Sequence, residues 1–228
     1  MNFLSAHWQD LLMANYVVDP SCLAPYCPAG TRIDAFEGKT FVSLVAFMFD
    51  RTRIMGIPVP GHTRFEEVNL RFYVTPDHDP TIRAVTFIRE FVPRPLIAYV
   101  ANRLFNERYV ACSMDHHFSG QDFSYSWGDE LECGITASVT TDPVLPQSNS
   151  VEEFITEHYI GYSSGNDYPI EYEVQHPQWT CCHLEEFHIS AYFAKNYGKE
   201  FAFLDDQAPY NVLYSPGSSV TATFPKRV

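Results

Sequence analysis

Positive charge is scarce in this chain of 228 residues. Lys and Arg total 15 against 28 Asp and Glu, a net charge of −13, and the only lysines are Lys39, Lys195, Lys199 and Lys226. A surface of that sign repels phosphate backbones and anionic lipid, so neither nucleic acid nor a membrane is expected as a partner. No uninterrupted apolar run reaches the roughly 18 residues of a membrane span; even Thr40 to Phe49 stops at Asp50 and Arg51. Met1 to Asp10 has neither a cationic start nor a sustained apolar stretch, so no export signal is expected and the chain reads as cytoplasmic. A Gly-rich phosphate loop and an H-E-x-x-H helix are also missing, which leaves nucleotide-binding and metalloprotease chemistry without a motif.

Cysteine is present without a pattern. Cys22, Cys27, Cys112, Cys133, Cys181 and Cys182 are irregularly spaced and contain no C-x-x-C, so thiols are expected, mostly as small buried apolar residues. Cys181, Cys182, His183 and His188 do lie close in sequence. Neighbours in a strand point to opposite faces, however, so Cys181 and Cys182 are poorly placed to share one tetrahedral site. No metal and no cofactor are expected.

Apolar residues are plentiful at 46%, with aromatics at 15% and charged residues at only 19%. That balance specifies a folded globular chain, here expected as one domain over residues 1–228. Near-alternation of β-branched and aromatic residues predicts strands over Thr40 to Phe49, Val68 to Val74, Ala84 to Val92, Tyr109 to Asp115, Gln121 to Trp127 and Leu131 to Thr140. Turn signals at Pro58 to Gly61, Thr75 to Pro80, Ser119-Gly120 and Gly128-Asp129 separate them. Helices are expected at Pro95 to Phe105, with Ile97, Val100, Ala101 and Leu104 on one stripe, and at Ser150 to Tyr159, where Ser150 and Glu153 form a capping-box pattern. A shorter helix is expected near Pro20 to Pro25, and Gly161 to Pro169 is the most loop-like stretch. The fold class is therefore mainly β with a few short helices, an antiparallel barrel or sandwich.

The segment Phe65 to Val74 is the most informative. Val68, Leu70, Phe72 and Val74 share one face, while Glu67, Asn69, Arg71 and Tyr73 align a carboxylate, an amide, a guanidinium and a phenol along the other. This is either a half-solvated strand with its polar side out, or a lumen-facing row in which Arg71 holds a carboxylate and Glu67 exchanges a proton. Periodicity alone does not choose. Asp115-His116-His117 reads as a solvated strand end ahead of a titrating site. His176 and Trp179 read as core residues ahead of a wall over a pocket mouth.

These residues carry a family resemblance. Trp8 with the strand Leu11 to Tyr16, Leu23-Ala24-Pro25 with Pro28-Ala29-Gly30, Phe41 to Phe47, Phe65 to Val74, Glu153 to Tyr159 and Val174 to Trp179 together resemble the YqjF-like family, bacterial proteins of unassigned function. The resemblance covers most of the chain and implies the acetoacetate-decarboxylase-like fold, a closed or nearly closed antiparallel β structure with an internal cavity. In acetoacetate decarboxylases a cavity lysine, its pKa depressed by a second lysine, forms a Schiff base with a keto acid. Here Ala101 to Ser113, which resembles the part bearing that pair, contains no lysine and offers Glu107-Arg108 instead. Arginine stays protonated and is no amine nucleophile, so Schiff-base decarboxylation is not expected. The resemblance places Glu67 where the fold carries a cavity glutamate. It leaves Arg71 and Arg108 to clamp a carboxylate or enolate, with Asn69 and Tyr73 as hydrogen-bond donors.

Three functions follow as expectations. The first is a barrel that binds a weakly acidic or apolar metabolite in its cavity. The second is a lyase or isomerase with Glu67 as acid or base and Arg71 stabilising an enolate. The third is a structural or interaction protein whose polar row faces water, and exposed strand edges would allow a homodimer.

Overall fold

Alternating apolar and polar residues build the frame, and the computed structural model describes residues 2–164 and 168–228. The N-terminal half supplies β1 (Asn2–Val18), β2 (Thr31–Ile33), β3 (Thr40–Ile54), β4 (Ile57–Pro58), β5 (Phe65–Pro76) and β6 (Ala84–Val92). Then come β7 (Tyr109–Ala111), β8 (Met114–Ser119), β9 (Asp122–Trp127), β10 (Cys133–Ser138), β11 (Ile160–Ser163) and β12 (Ile170–Gln175). The last strands are β13 (Cys182–His183), β14 (Phe187–Ser190), β15 (Asn211–Thr223) and β16 (Lys226–Arg227). The α-helices are short: α1 (Pro20–Leu23), α2 (Pro95–Leu104), α3 (Val151–Thr156) and α4 (Phe193–Asn196). No helix among the described residues is long and apolar enough to cross a membrane.

Hydrogen-bonded pairing runs β15–β1–β3–β5–β6–β11–β12 and returns to β15 through Val174 opposite Ala222 and Gln175 opposite Thr221. The ladder thus closes on itself and gives a barrel-like ring, antiparallel except where β11 lies parallel to β6. A separate four-stranded sheet, β14–β10–β9–β8, covers one outer side. Both faces of β5 are therefore buried. Val68, Leu70, Phe72 and Val74 pack outward in one apolar core with Tyr125, Trp127 and Ile135 of the small sheet. Tyr73 joins a second core inside the ring, with Phe47, Phe65, Phe154 and Trp179. Gly217 sits where β15 bends against β1: its φ is +77°, and a Cβ there would collide with the Trp8 carbonyl.

Several expected elements differ in extent. Tyr109 to Asp115 is two strands, because the chain leaves the ring after Ala111 and enters the small sheet at Met114. His116 and His117 accordingly lie inside β8 rather than at a strand end. The helix expected over Ser150 to Tyr159 stops at Thr156, its N-terminus fixed by Ser150 Oγ accepting from the Glu153 N–H at 3.2 Å. In α2, Ala98 is the buried residue and Leu104, expected on the buried stripe, is exposed. The stretch expected as loop, Gly161 to Pro169, begins as β11, and its residues 165–167 lie outside the described residues.

Candidate functional site: an acid-lined cavity inside the ring

The inward face of β5 opens onto a cavity of about 230 Å³. Glu67, Asn69 and Arg71 line it, and all three are buried, with 3%, 2% and 8% of their surface exposed. A half-solvated strand is thereby excluded, since closure of the ring turns the polar row into a chamber. Glu67 Oε1 accepts from Asn69 Nδ2 at 2.9 Å, and Oε2 accepts from the Tyr109 hydroxyl at 2.9 Å. Arg71 reaches across to α3, where its Nη2 donates to the Ile155 carbonyl at 3.2 Å. A cation at a helix C-terminus meets both the orphaned carbonyls and the negative end of the dipole.

Two further carboxyls share the chamber. Glu90 arrives through a bulge in β6. Arg71 pairs with Phe87 and Leu70 with Arg89, so Ile88 is an extra residue and the alternation slips by one. Ile88 and Arg89 both leave the cavity face, Arg89 donating to the Asn196 carbonyl at 2.5 Å, and Glu90 turns inward opposite Asn69. Glu107 enters from the segment after α2, just past Asn106, whose φ is +56°. Its Oε1 accepts from the Tyr172 hydroxyl at 2.8 Å. The Tyr172 ring lies directly over Gly161 on the neighbouring strand, where a Cβ would occupy the space of the ring.

Burial dominates the electrostatics. It pushes the Glu67 carboxyl up to about 7, against the opposing pull of the Asn69 and Tyr109 hydrogen bonds and the Arg71 charge. Glu107 is pushed up to about 8 by burial, opposed by its Tyr172 hydrogen bond and reinforced by the Glu67 charge. Glu90 is raised well above the ordinary carboxylate range by burial and then by Glu107 and Glu67. Burial also keeps the Tyr109 and Tyr172 phenols protonated. His158, just beyond α3, is held neutral by burial and by the charges of Arg71 and Arg83. Near neutral pH the chamber thus holds one arginine cation, two carboxylic acids, and in Glu67 one carboxyl poised to give or take a proton.

Part of the expected site is placed elsewhere. Tyr73 is buried behind the cavity wall: its hydroxyl shares a 2.6 Å hydrogen bond with Ser43 Oγ, and its ring packs on the His158 ring at 4.5 Å. Arg108 does not line the chamber. Neighbouring residues in an extended segment face opposite ways, so as Glu107 turns in, Arg108 turns out. Its Nη2 donates to Ser164 Oγ at 3.0 Å and its guanidinium sits 5.1 Å from the Tyr26 ring. His176 and Trp179 stack at 4.1 Å and both line the cavity. His116 is far from this chemistry, bonded through Nδ1 to Glu66 Oε1 at 2.5 Å.

Glu90, Glu107, Tyr109, His158 and Tyr172 are among the cavity residues that sequence reasoning did not select as site residues. For Glu107 and Tyr109 the signal was their position beside Arg108; nothing in the alternation of β6 singles out Glu90. None of the four lysines lines the cavity. Among the described residues no cluster of His, Cys, Asp and Glu has the makings of a metal site.

The profile of DUF2071, an uncharacterized conserved protein family, matches residues 5–219. The uncharacterized protein YqjF of Bacillus subtilis (strain 168) is 26% identical over 177 residues, 75% of this chain and 72% of that one. Among solved structures, the acetoacetate decarboxylase of Legionella pneumophila superposes with a TM-score of 0.68 at 10% identity, covering 100% of this chain and 90% of that one. The enduracididine biosynthesis enzyme MppR, complexed with the condensation product of pyruvate and imidazole 4-carboxaldehyde, gives a TM-score of 0.68 at 10% identity with the same coverage, 100% and 90%. The likeness establishes an acetoacetate-decarboxylase-like fold. The chain belongs to the DUF2071 family, the YqjF-like proteins.

Proposed function

We propose that the chamber binds a small, weakly acidic or apolar metabolite and performs no Schiff-base decarboxylation. Buried polar atoms left without partners among the described residues carry this reading: Trp127 Nε1, Tyr197 Oη and Asn211 Nδ2 lie elsewhere, but seven gather at the chamber, Trp8 Nε1, Thr52 Oγ1, Asn69 Oδ1, Arg71 Nε, Glu90 Oε2 and both ring nitrogens of His158. Each of the seven belongs to a residue that lines the cavity. Buried polar atoms left unpaired cost folding free energy, and a ligand with donors and acceptors of its own would satisfy them. A carboxylate or carbonyl group suits Arg71 Nε, and the protonated Glu90 and Glu107 weaken the repulsion an anion would otherwise meet. MppR, of the same fold, is complexed with a pyruvate-derived product, which supports oxo acids as the first class to try. With no lysine in the chamber and Arg108 turned outward, a covalent iminium has no amine to form from.

A thermal-shift screen of short keto acids, hydroxy acids and apolar metabolites tests the reading. Hits that raise Tm in the wild type and lose their effect in Arg71→Ala support it; a screen in which nothing binds overturns it. Borohydride reduction in the presence of acetoacetate should leave the protein mass unchanged.

The elevated Glu67 carboxyl favours a second reading, proton transfer beside a carbonyl. In that step the Glu67 carboxylate takes a proton from the carbon next to the carbonyl. The C–H electron pair becomes the C–C π bond, and the enolate oxygen accepts from Arg71. Exchange of that carbon-bound hydrogen for deuterium in D2O, followed by NMR and lost in Glu67→Gln, is the expected signature.

A further inference from the structure

We propose that the ligand is an amphiphile, with its acidic head against Arg71 and an apolar chain lying along the inner side of α2. This rests on the binding reading above and adds the shape of the ligand. The cavity wall changes character with depth. Its deeply buried part holds the ionisable groups Glu67, Arg71, Glu90 and Glu107. Its partly exposed part is chiefly aliphatic: Leu4, Ile54, Val59, Ile97, Val100 and Ala101.

Most polar side chains in that outer part have a polar atom engaged at home. His62 Nδ1 lies 2.9 Å from the Pro60 carbonyl, and His176 Nδ1 lies 2.9 Å from the Pro177 carbonyl. The Tyr109 and Tyr172 hydroxyls serve Glu67 and Glu107. The exceptions are Trp8 Nε1 and, in the buried wall, Thr52 Oγ1, which have no partner among the described residues; the rest of the outer wall is apolar.

Helix α2 makes the stronger argument. Ile97, Val100 and Ala101 stand at helical spacing and all three line the cavity, yet Ala98 is the only residue of this helix that is buried. An apolar helix face normally lies against a packed core. Here it borders the chamber, and it is continuous with the acid-lined depth. A chain attached to a head at Arg71 would cover it. On the rim of the same opening, Leu96 is 52% exposed. Because a hydrophobic wall rewards each added methylene, the structure assigns a preference for longer chains, not merely tolerance of them.

Affinity for straight-chain monocarboxylates from propionate to decanoate, measured by calorimetry on the full chain below micelle-forming concentrations, tests the assignment. Wild-type Kd should fall about fourfold per methylene until the chain outgrows the wall. Val100→Gln, at a half-exposed helix position, should weaken octanoate at least several-fold and leave propionate unchanged; Ile97→Gln serves as an independent repeat. Arg71→Gln should weaken every length alike. A Kd that stays level from propionate to decanoate overturns the amphiphile and leaves carboxylate binding standing. A length dependence indifferent to both α2 variants overturns the placement of the chain. Binding at no length overturns this inference, and the thermal-shift screen above then decides whether the reading on which it rests also falls.

Discussion

Glu66 and Glu67 stand side by side in β5, yet the first meets His116 in the seam between the ring and the small sheet, and the second is buried deep in the chamber with Arg71, Asn69 and Tyr109. One peptide unit separates the two environments, because successive side chains of a strand leave opposite faces. The same contrast runs along the whole strand: an outward row of Val68, Leu70, Phe72 and Val74 that fills a core, and an inward row that keeps polar groups dry. Burial on its own does not distinguish structure from function here. The chamber differs in gathering several unused hydrogen-bonding atoms in one place, against only Trp127 Nε1 and Tyr197 Oη in the outward core among the described residues.

Substitutions on the two faces should separate accordingly. Leu70→Ala removes a fully buried side chain from the outward core and should cost about 2–5 kcal/mol in urea unfolding. Carboxylate binding by the folded fraction should be unaffected.

The inward face should instead show itself through pH. Glu67 and Glu107 are raised from an ordinary 4.5 to about 7 and about 8, so the folded state holds protons that the unfolded chain has released. Their contribution to stability is fully present below about pH 4.5 and is lost as pH rises through 7 and 8, with a slope of at most about 1.4 kcal/mol per pH unit for each carboxyl. Tm measured from pH 4.5 to 8.5 should therefore decline more steeply in the wild type than in Glu67→Gln, which stays uncharged throughout. Equal slopes would remove Glu67 from the buried groups that hold a proton in the folded state.

Much of this arrangement was legible. The alternation from Phe65 to Val74 marked the two faces of β5, the bounds of β6 followed from its β-branched and aromatic run, and Ser150 with Glu153 marked the start of α3. What escaped depends on pairing between distant segments. Glu90 faces inward only because Ile88 is an extra residue opposite β5, which no local pattern in Phe87-Ile88-Arg89-Glu90 announces. His158 reaches the chamber because α3 ends early, its Ile155 carbonyl taken by Arg71 from 84 positions away in sequence. Tyr109 comes alongside Glu90 through a parallel pairing of β7 with β6, a contact that strand propensity does not encode.

Two smaller effects sharpen the comparison further. Gly161→Ala would press on the Tyr172 ring and shift its hydroxyl from Glu107, so ligand affinity and the pH slope should change while overall stability falls by about 1–3 kcal/mol. His116→Ala breaks only the partly exposed pair with Glu66 and should change unfolding free energy by no more than about 1 kcal/mol, with ligand affinity unaltered.

The protonation of Glu67 is the point on which the account turns. Carboxyl resonances of protein labelled with 13C at the glutamate side chains, titrated in the wild type and in Glu67→Gln, read it directly. A resonance with its midpoint near pH 7 that disappears in the variant is the predicted result. Assignment of Glu67 to a midpoint near the ordinary 4.5 would contradict its burial in the acid-lined depth of the chamber.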